Sequence, residues 1–245
     1  MLLYTKKQKK KWLIFSSENE AHSIIRKLIE FIEQKPLNKI SEKQYRTHLD
    51  YINEYFKIVD TNTLFTYRKL LELAQAVKNA WHYDGLLIDP YNSLIKDAEI
   101  MKGIGGHEYD YQATTEMRLF CKKNMISIWL NTHANTQALR FKHQMGHNYA
   151  GHPIPPLASD VEGGGKFVNR ADDFIVIHRY TQHPTDWTKS MIHVRKVKEV
   201  ETGGRPTSMD NPIVFASIPN NVGFTLEGEN LLEPPIIEEF KPLIE

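Results

Sequence analysis

The chain has 245 residues, of which 41% are hydrophobic and 25% charged, and this composition is that of an ordinary globular protein with one α/β domain or two small ones. No apolar run approaches the roughly 20 residues of a membrane helix, and the N-terminus lacks signal-peptide order because its short apolar part precedes the basic part. The single cysteine, Cys121, excludes an internal disulfide and fits a reducing cytosol, while a net charge of +1 neither favours nor excludes nucleic acid.

The first half of the chain alternates short apolar strands with amphipathic helices. Apolar residues recur at helical spacing from Ile24 to Ile32, and Pro36 ends that helix. Such alternation predicts an α/β fold with a mainly parallel sheet and helices on both faces. The predicted strands are residues 12–15, 56–59, 86–89 and 126–130, and the later predicted helices are residues 41–55, 67–81 and 111–123.

The pattern changes after His133. Residues 134–158 contain Gly, Pro, Asn and three histidines but no periodic apolar stripe, which predicts a long functional or mobile loop. Further strands joined by short polar links predict an antiparallel extension at the C-terminal edge of the sheet. Prolines and acids near the end predict a tail, so we expect one domain at 1–228 and a tail at 229–245. The predicted later strands are residues 174–177, 190–197 and 213–215.

Three polar residues directly follow predicted parallel strands: Glu18, Asp89 and His133. Because the carboxyl ends of parallel strands converge on one crevice, we expect these side chains to lie near one another. A carboxylate for a metal, a second for a water molecule and an imidazole for a phosphate oxygen are groups that phosphate hydrolysis requires. Each residue alone also has a simpler explanation, since a strand-terminal Asp often caps a turn and a lone His is usually a surface residue.

The phosphate loop that normally accompanies such a site does not occur in the sequence. No glycine lies in the frame G-x-x-x-x-G-K-[ST], whose backbone amides wrap nucleotide phosphates. The nearest segment, Gly163-Gly164-Gly165-Lys166, lacks the first glycine and continues into Phe167 instead of Ser or Thr. The sequence therefore predicts most of a nucleotide-binding domain without its phosphate cradle.

The strand-end residues belong to longer segments whose order along the chain is distinctive. The first has the pattern F-S-x-E, the second is an apolar strand ending in an acid, and the third is a strand ending in histidine. A fourth segment is the longest and the most specific of the set. The segments are Phe15-Ser16-Ser17-Glu18-Asn19, Leu86-Leu87-Ile88-Asp89-Pro90, Trp129-Leu130-Asn131-Thr132-His133, and the run from Ser159 to Asp172 that continues at Ile175-Val176-Ile177-His178-Arg179.

From about Trp12 to Phe215, these segments resemble the C-terminal RecA-like motor domain of ring-shaped replicative DNA helicases of the DnaB and Twinkle type, as found in phage primase-helicases. The resemblance implies an ATP-dependent motor that forms a homo-oligomeric ring, expected to be a hexamer, and moves along single-stranded DNA. It implies that Glu18 activates the attacking water, that Asp89 holds Mg²⁺ through water, and that His133 senses the γ-phosphate of ATP. It also implies a phage-encoded protein in the cytoplasm of a bacterial host.

Two departures from that family bear on activity. The phosphate loop is expected just upstream of Met1, because Leu2 to Lys11 resembles the tail of the helix that follows it, so the chain alone is expected not to hydrolyse ATP. The family's Lys-x-Arg, which reaches the nucleotide of the adjacent subunit, corresponds here to Lys196-Val197-Lys198. Lysine keeps the positive charge of arginine but loses its bidentate fork, and a solvated strand edge also explains these lysines.

The resemblance places single-stranded DNA contacts in two loops that face the central channel of the ring. Glycine lets backbone amides approach a phosphate closely, and basic side chains add charge, so the expected binding is independent of sequence. Ordinary surface charge on a loop explains any one of these side chains about as well. The candidate contacts are Asn135, Arg140, Lys142, Gly163, Gly164, Gly165 and Lys166.

Two alternatives to a motor stay open at this point. One is a non-catalytic single-stranded DNA-binding or ring-subunit module derived from a helicase, and the other is an unrelated α/β protein whose strand-end acids are structural. His143, His147 and His152 fit no compact metal site by their spacing and have no cysteine beside them, so Mg²⁺ is the one metal expected.

Overall fold

A computed structural model of the chain describes residues 1–233. Its contacts divide the chain into two compact units. Within residues 1–233, unit 1 comprises Met1–Asn131, Ile218–Gly223 and residues 230–233, and unit 2 comprises Thr132–Ser217 and Phe224–Glu229. Most of the predicted tail, from residue 234 to residue 245, lies outside the described residues.

The sheet of unit 1 has four strands, all parallel, in the spatial order β2-β1-β3-β4. Every residue of β1 is buried, as expected of a strand covered by helices on both faces. The predicted mainly parallel sheet is therefore confirmed. The strands are β1 (Trp12–Ser16), β2 (Phe56–Ile58), β3 (Gly85–Asp89) and β4 (Ser127–Leu130).

Helices cover both faces of this sheet. Trp12 and Ile14 on β1 belong to a core cluster with residues of the second and third helices. Alternation along the strand turns Phe15 to the opposite face, where its ring lies 5.5 Å from that of Phe65, just before the fourth helix. The helices of unit 1 are α1 (Leu2–Gln8), α2 (Ala21–Glu33), α3 (Glu42–Tyr55), α4 (Tyr67–Ala80), α5 (Ala98–Met101) and α6 (Gly106–Asn124).

Side-chain caps define where two of these helices begin. Ser41 accepts a hydrogen bond from the backbone N–H of Gln44, and the Gln44 side chain accepts one from the backbone N–H of Ser41, which is a capping box at the start of α3. Thr66 caps α4 with a single bond, since its hydroxyl accepts from the backbone N–H of Lys69 at 3.2 Å. The apolar stripe predicts that a helix is present, and these polar capping residues fix where it begins.

An aromatic cluster of Tyr4, Trp12 and Trp129 lies across the start of this sheet, with ring centroids 6.1 to 6.2 Å apart. Gly85 at the start of β3 makes room for it, because a Cβ atom there would lie 2.4 Å from the nearest carbon of the Trp12 ring. Trp12 is almost fully buried, whereas Tyr4 and Trp129 remain 44% and 41% exposed.

The antiparallel strands, in the order β5-β6-β7-β8-β9, belong to unit 2 except for Asn230, the last residue of β9, which is assigned to unit 1. The three predicted strands are confirmed, and together with two short strands that the sequence did not indicate they form a sheet of their own. No helix within residues 1–233 combines the length and apolar character needed to cross a bilayer. The elements are α7 (Gly165–Arg170), β5 (Asp173–His178), β6 (Lys189–Val197), α8 (Val200–Gly203), β7 (Ile213–Ser217), β8 (Phe224–Leu226) and β9 (Glu229–Asn230).

Candidate functional site

The carboxyl ends of β1, β3 and β4 meet in unit 1. Ser16, the last residue of β1, lies opposite Asp89, the last residue of β3. Asn131 directly follows β4, and its backbone N–H donates to the carbonyl of Ile88 at 2.9 Å. Three adjacent strands thus each place one polar residue at the same edge of the sheet, which is where open α/β sheets bind ligands.

The carboxylate of Asp89 is held by its two neighbours. The Asn131 amide donates to Oδ1 at 2.9 Å, and the Ser16 hydroxyl donates to Oδ2 at 3.3 Å. Each oxygen therefore accepts a protein hydrogen bond and keeps acceptor capacity for water. Because Mg²⁺ keeps several waters and is usually bound through one or two carboxylates and the phosphates of a substrate, this donor set fits a water-mediated Mg²⁺ site. Within residues 1–233, no group of three or more His, Cys, Asp or Glu side chains is arranged to hold a metal.

Glu18 lies at the same edge as Asp89, in the turn that follows β1, and its side chain faces solvent. The turn is fixed by its backbone, since Ser17 N–H donates to the Asp89 carbonyl at 3.1 Å and Asn19 N–H donates to the Ser16 hydroxyl at 3.2 Å. A carboxylate on a short turn that is held by backbone hydrogen bonds is suited to orienting a water molecule, because its backbone stays close to Asp89.

The structure places the remaining candidate residues in unit 2. His133 is exposed, and its carbonyl accepts from Glu162 N–H at 2.8 Å. Asn135 N–H donates to the Asp160 carbonyl at 2.7 Å. Its side-chain oxygen accepts from Ala138 N–H at 2.9 Å, which closes a turn at residues 135–138. The two segments that carry most of the candidate DNA contacts are therefore joined directly through their backbones.

The glycine run has a structural role that the sequence did not reveal. Gly163 and Gly164 have φ angles of +93° and +83°, the left-handed region that favours glycine, and they lead into α7. A Cβ atom at Gly163 would lie 2.6 Å from the ring of Phe167. Lys166 is buried, whereas Cβ atoms at Gly164 and Gly165 would each meet only open space, and Gly163 and Gly165 are exposed.

Lys196, in β6, and Lys198, just after β6, differ in their surroundings. Lys196 donates from Nζ to the carbonyls of Val168 and Ala171, both at 2.7 Å, and so closes the C-terminal end of α7. Lys198 pairs with Asp172 at 3.1 Å, and both side chains are about half exposed. Of the two, Lys198 has the side chain that is accessible from outside the unit.

Residues 134–158 form a long loop without a strand or an α-helix, where the sequence predicted a long functional or mobile loop, and backbone hydrogen bonds join its parts. His143 N–H donates to the His152 carbonyl and Ile154 N–H to the Phe141 carbonyl, both at 2.9 Å. Lys142 and Arg140 remain exposed on this segment.

A histidine–tyrosine cluster stabilises the segment. His143 stacks on His147 at 3.8 Å and shares a hydrogen bond with the Tyr180 hydroxyl at 2.8 Å, and Tyr149 stacks on Tyr180 at 3.9 Å. The Tyr149 hydroxyl donates to Asp186 at 2.8 Å. Residues that stack on one another need not be regularly spaced along the chain, so no pattern in the sequence predicted this cluster. The cluster consists of His143, His147, Tyr149, His152, His178, Tyr180 and His183.

The chain is similar in sequence to a curated plant protein. No known family profile matches it. The Twinkle homolog protein, chloroplastic/mitochondrial, of Arabidopsis thaliana is 26% identical over 207 residues, which cover 79% of this chain and 27% of the relative. The chain therefore spans about a quarter of the length of that curated relative.

Solved structures are similar at low identity. An ATPase domain superposes with a TM-score of 0.69 at 13% identity, over 91% of this chain and 77% of that one, and a DnaB-like replicative helicase gives 0.67 at 14% identity over 89% and 51%. The chain has the RecA-like fold of DnaB-type helicase ATPase domains. A KaiC-like protein from Pyrococcus horikoshii shares the RecA-like fold more distantly, with a TM-score of 0.52 at 13% identity over 91% of this chain and 78% of that one.

In this RecA-like domain, Ser16 and Asn131 are the site residues that sequence reasoning missed. Both lie within the motifs that carried the resemblance, yet neither received a role there. The signal that could have found them is their position, since each is a polar residue at the end of a strand next to the strand of Asp89.

Two histidines of the antiparallel sheet should make unit 2 of the RecA-like domain sensitive to acid. Burial, with the charge of Arg195 nearby, lowers the pKa of His193 to about 4, and burial with His143 nearby lowers the pKa of His178 to about 4. Because the unfolded histidines bind protons near pH 6.5, the free energy of unfolding should fall between pH 6.5 and pH 4, by on the order of 1–2 kcal/mol per histidine at pH 5.

Urea unfolding at pH 7 and pH 5 tests this expectation. His193 is 1% exposed and neither of its ring nitrogens has a hydrogen-bond partner in the part of the chain that the structure describes, so His193→Phe should fold and should lose a measurable part of the pH dependence. His22→Phe is the matched control, since His22 is 80% exposed. Equal pH dependence in both variants would refute the assignment.

Proposed function

We propose that this chain is part of a ring-forming, ATP-dependent replicative DNA helicase that translocates on single-stranded DNA, and that the 245 residues by themselves do not hydrolyse ATP. The observation that carries the proposal is the Asp89 carboxylate, held by Ser16 and Asn131 at three adjacent strand ends beside Glu18. The shared fold of DnaB-type ATPase domains and the relative named Twinkle homolog support it. The proposed setting is the cytoplasm of a bacterial host, with the gene carried by a phage.

The proposed roles follow from what each side chain can do. Asp89 holds Mg²⁺ through water, because its oxygens each keep acceptor capacity beside the bonds from Ser16 and Asn131. Glu18 polarises the attacking water from its tied turn. His133, at the start of unit 2, responds to the γ-phosphate. Bound Mg²⁺ and ATP supply the reacting phosphoryl group and neutralise its charge.

Lys198 is the proposed residue that acts on the nucleotide of the adjacent subunit, in a ring expected to be a hexamer. Its ammonium group is accessible and held near the surface by Asp172. Lys196 was predicted to share this role, and its bonds to Val168 and Ala171 instead support a role in positioning β6 against α7. A lysine provides the positive charge that stabilises phosphoryl transfer, without the two parallel donors of an arginine.

The proposed DNA contacts are backbone amides at Gly163, Gly164 and Gly165 together with side chains of the 134–142 region. Gly164 and Gly165 have open space around them, and Arg140 and Lys142 offer exposed charge. Asn135 already forms hydrogen bonds within the protein, and Lys166 is buried. Both are therefore expected to contribute less to DNA binding. Contacts of this kind bind phosphates and not bases, which suits a protein that moves along DNA of any sequence.

Binding to single-stranded DNA tests the proposal on the chain itself. We expect weak, sequence-independent binding whose logarithmic salt slope corresponds to about 1–3 phosphates per subunit. The double variant Arg140→Ala/Lys142→Ala should weaken binding and reduce that slope by about 1–2. The measurement is fluorescence anisotropy of a labelled oligonucleotide in a salt series.

The matched control is Lys43→Ala/Arg46→Ala, which removes the same charge from the exposed side of α3 in unit 1. Equal loss of affinity in both double variants would mean that net charge and not this loop binds DNA. An affinity that does not change between low and high salt would contradict the proposal outright.

The alternative function is a non-catalytic single-stranded DNA-binding or ring-subunit module. The absence of a phosphate loop from the 245 residues favours it. If it is correct, supplying a phosphate loop will leave both ATP binding and DNA binding unchanged.

A further inference from the structure

Side chains join the long loop of unit 2 to the loop that connects β5 and β6. The Tyr149 ring stacks on the Tyr180 ring at 3.9 Å, and the Tyr149 hydroxyl donates to Asp186 at 2.8 Å. Both partners of Tyr149 lie between the end of β5 and the start of β6. The two loops therefore form one connected surface of unit 2, the loop pair, which comprises residues 140–154 and 179–188.

Two aromatic residues of the loop pair are exposed on a backbone that hydrogen bonds hold in place. Phe141 is 65% exposed, and its carbonyl accepts from the N–H of Ile154 at 2.9 Å. Trp187 is 48% exposed, and its carbonyl accepts from the guanidinium of Arg179 at 3.0 Å. Each ring is therefore open to a partner, and little backbone entropy is lost when a partner binds it.

Exposed cations accompany both rings. Arg140 and Lys142 flank Phe141 along the chain, and the exposed Arg179 is bonded to the backbone of Trp187. A single exposed apolar side chain is common on protein surfaces and needs no explanation. Exposed rings that each have a cation beside them have the composition of surfaces that bind single-stranded nucleic acid, where the rings stack on bases and the cations attract phosphates.

We propose that Phe141 and Trp187 stack on the bases of single-stranded DNA. The inference rests on the proposed function, since it adds a second kind of contact to a loop that is already proposed to bind the phosphates of the strand. Stacking does not distinguish one base from another, because every base has a π face, so it suits binding to any sequence. It also persists at salt concentrations that weaken the phosphate contacts.

The charge of the loop pair favours DNA over an apolar patch of another subunit as the partner of these rings. Burying Phe141 in a protein interface would also remove Arg140 and Lys142 from water, and an apolar partner supplies no anion for them. The acid of this surface, Asp186, is itself paired with Lys189 at 2.9 Å. A DNA strand carries the bases that the rings bind and the phosphates that the cations bind.

The test separates bases from phosphates by comparing two labelled strands of equal length. One is an oligothymidylate, and the other has the same sugar–phosphate backbone without bases. Phe141→Ala should lose about 5-fold or more in affinity for the oligothymidylate, with the salt slope unchanged because no charge is removed. For the abasic strand, Phe141→Ala should bind as the original chain does. Fluorescence anisotropy in a salt series measures all four affinities.

Three further variants verify that the loss comes from stacking. Phe141→Tyr keeps an aromatic ring and should keep the affinity for the oligothymidylate. Leu119→Ala is the matched control, since Leu119 is 60% exposed on α6 in unit 1 and should have no effect. The oligothymidylate, but not the abasic strand, should quench part of the tryptophan emission, and Trp187→Phe should remove that quenching. Thermal unfolding of each variant reports whether it is folded.

Several outcomes would overturn the proposal. Equal affinity of the original chain for both strands would mean that only phosphates are bound, which leaves the proposed function intact and removes the stacking. Equal loss in Phe141→Ala on both strands would mean that the ring only maintains the shape of the loop. Reduced self-association of Phe141→Ala in sedimentation, with unchanged DNA affinity, would assign the ring to a contact between subunits. If the original chain binds neither strand, the proposed function is itself refuted, so the two failures are distinguishable.

Discussion

ATP hydrolysis should rise above that of both parents when two inactive variants of the proposed motor are mixed within one ring. Both variants carry a phosphate-loop segment ahead of α1, and the 245 residues alone serve as the baseline without activity. Glu18→Ala removes the group that polarises water in its own subunit, and Lys198→Ala removes the charge that reaches the adjacent site. Each homogeneous ring should lose on the order of 100-fold or more of its rate, because every site lacks one group.

Random mixing of equal amounts restores complete sites. If the ring is head-to-tail, about a quarter of the interfaces pair an intact Glu18 with an intact neighbouring Lys198. The measurement is steady-state phosphate release after subunit exchange, which a fluorescence label on each variant confirms. Lys198→Arg is the conservative control and should keep or exceed the original rate, because arginine adds a bidentate fork to the same charge.

Full activity of the homogeneous Lys198→Ala ring would show that Lys198 serves only its ion pair with Asp172. An inactive Lys198→Ala ring that gains nothing on mixing, in rings that demonstrably exchange subunits, would place the lysine in its own site and remove the trans assignment.

Gly85→Ala should destabilise unit 1 more than other single glycine replacements in its sheet and loops. The new Cβ atom would lie 2.4 and 2.5 Å from two carbons of the Trp12 ring. That ring is 4% exposed and is held by Tyr4 and Trp129, so it has no free space to move into. Overpacking of this kind lowers the free energy of unfolding by about 1–3 kcal/mol, which urea unfolding followed by tryptophan fluorescence measures.

Gly105→Ala is the matched control, because a Cβ atom there meets nothing within 4 Å and its φ angle is in the ordinary region. The double variant Gly85→Ala/Trp12→Leu should recover part of the loss relative to Trp12→Leu alone, since the smaller side chain removes the clash. If Gly85→Ala is as stable as the control, the close approach of β3 to the Trp12 ring is not a constraint on the fold.

The parallel sheet was predictable from the sequence because its strands are nearly pure apolar runs bounded by polar residues. The same logic placed Glu18 and Asp89 at one edge, and the register between Ser16 and Asp89 agrees with it. What the sequence could not provide was the orientation of the Asp89 carboxylate, since the bonds from Ser16 and Asn131 join residues that are 73 and 42 positions away along the chain.

Unit 2 was less predictable, for two physical reasons. Its ordered segment at 134–158 depends on stacking among histidines and tyrosines, which has neither a helical nor a strand period. The boundary between the units could not be predicted either, because it falls between Asn131 and Thr132, inside the continuous motif at residues 129–133.

Lys196 near the end of β6 and Lys198 just after it both link this strand to the region of α7. Lys196 fastens the strand to the end of α7 through Val168 and Ala171, and Lys198 adds a second link at Asp172. The glycines at 163–165 lead directly into the same helix. A displacement at the exposed end of β6 would therefore reach, through α7, the glycine backbone that is proposed to hold DNA, which would couple the proposed trans site to the proposed DNA contacts.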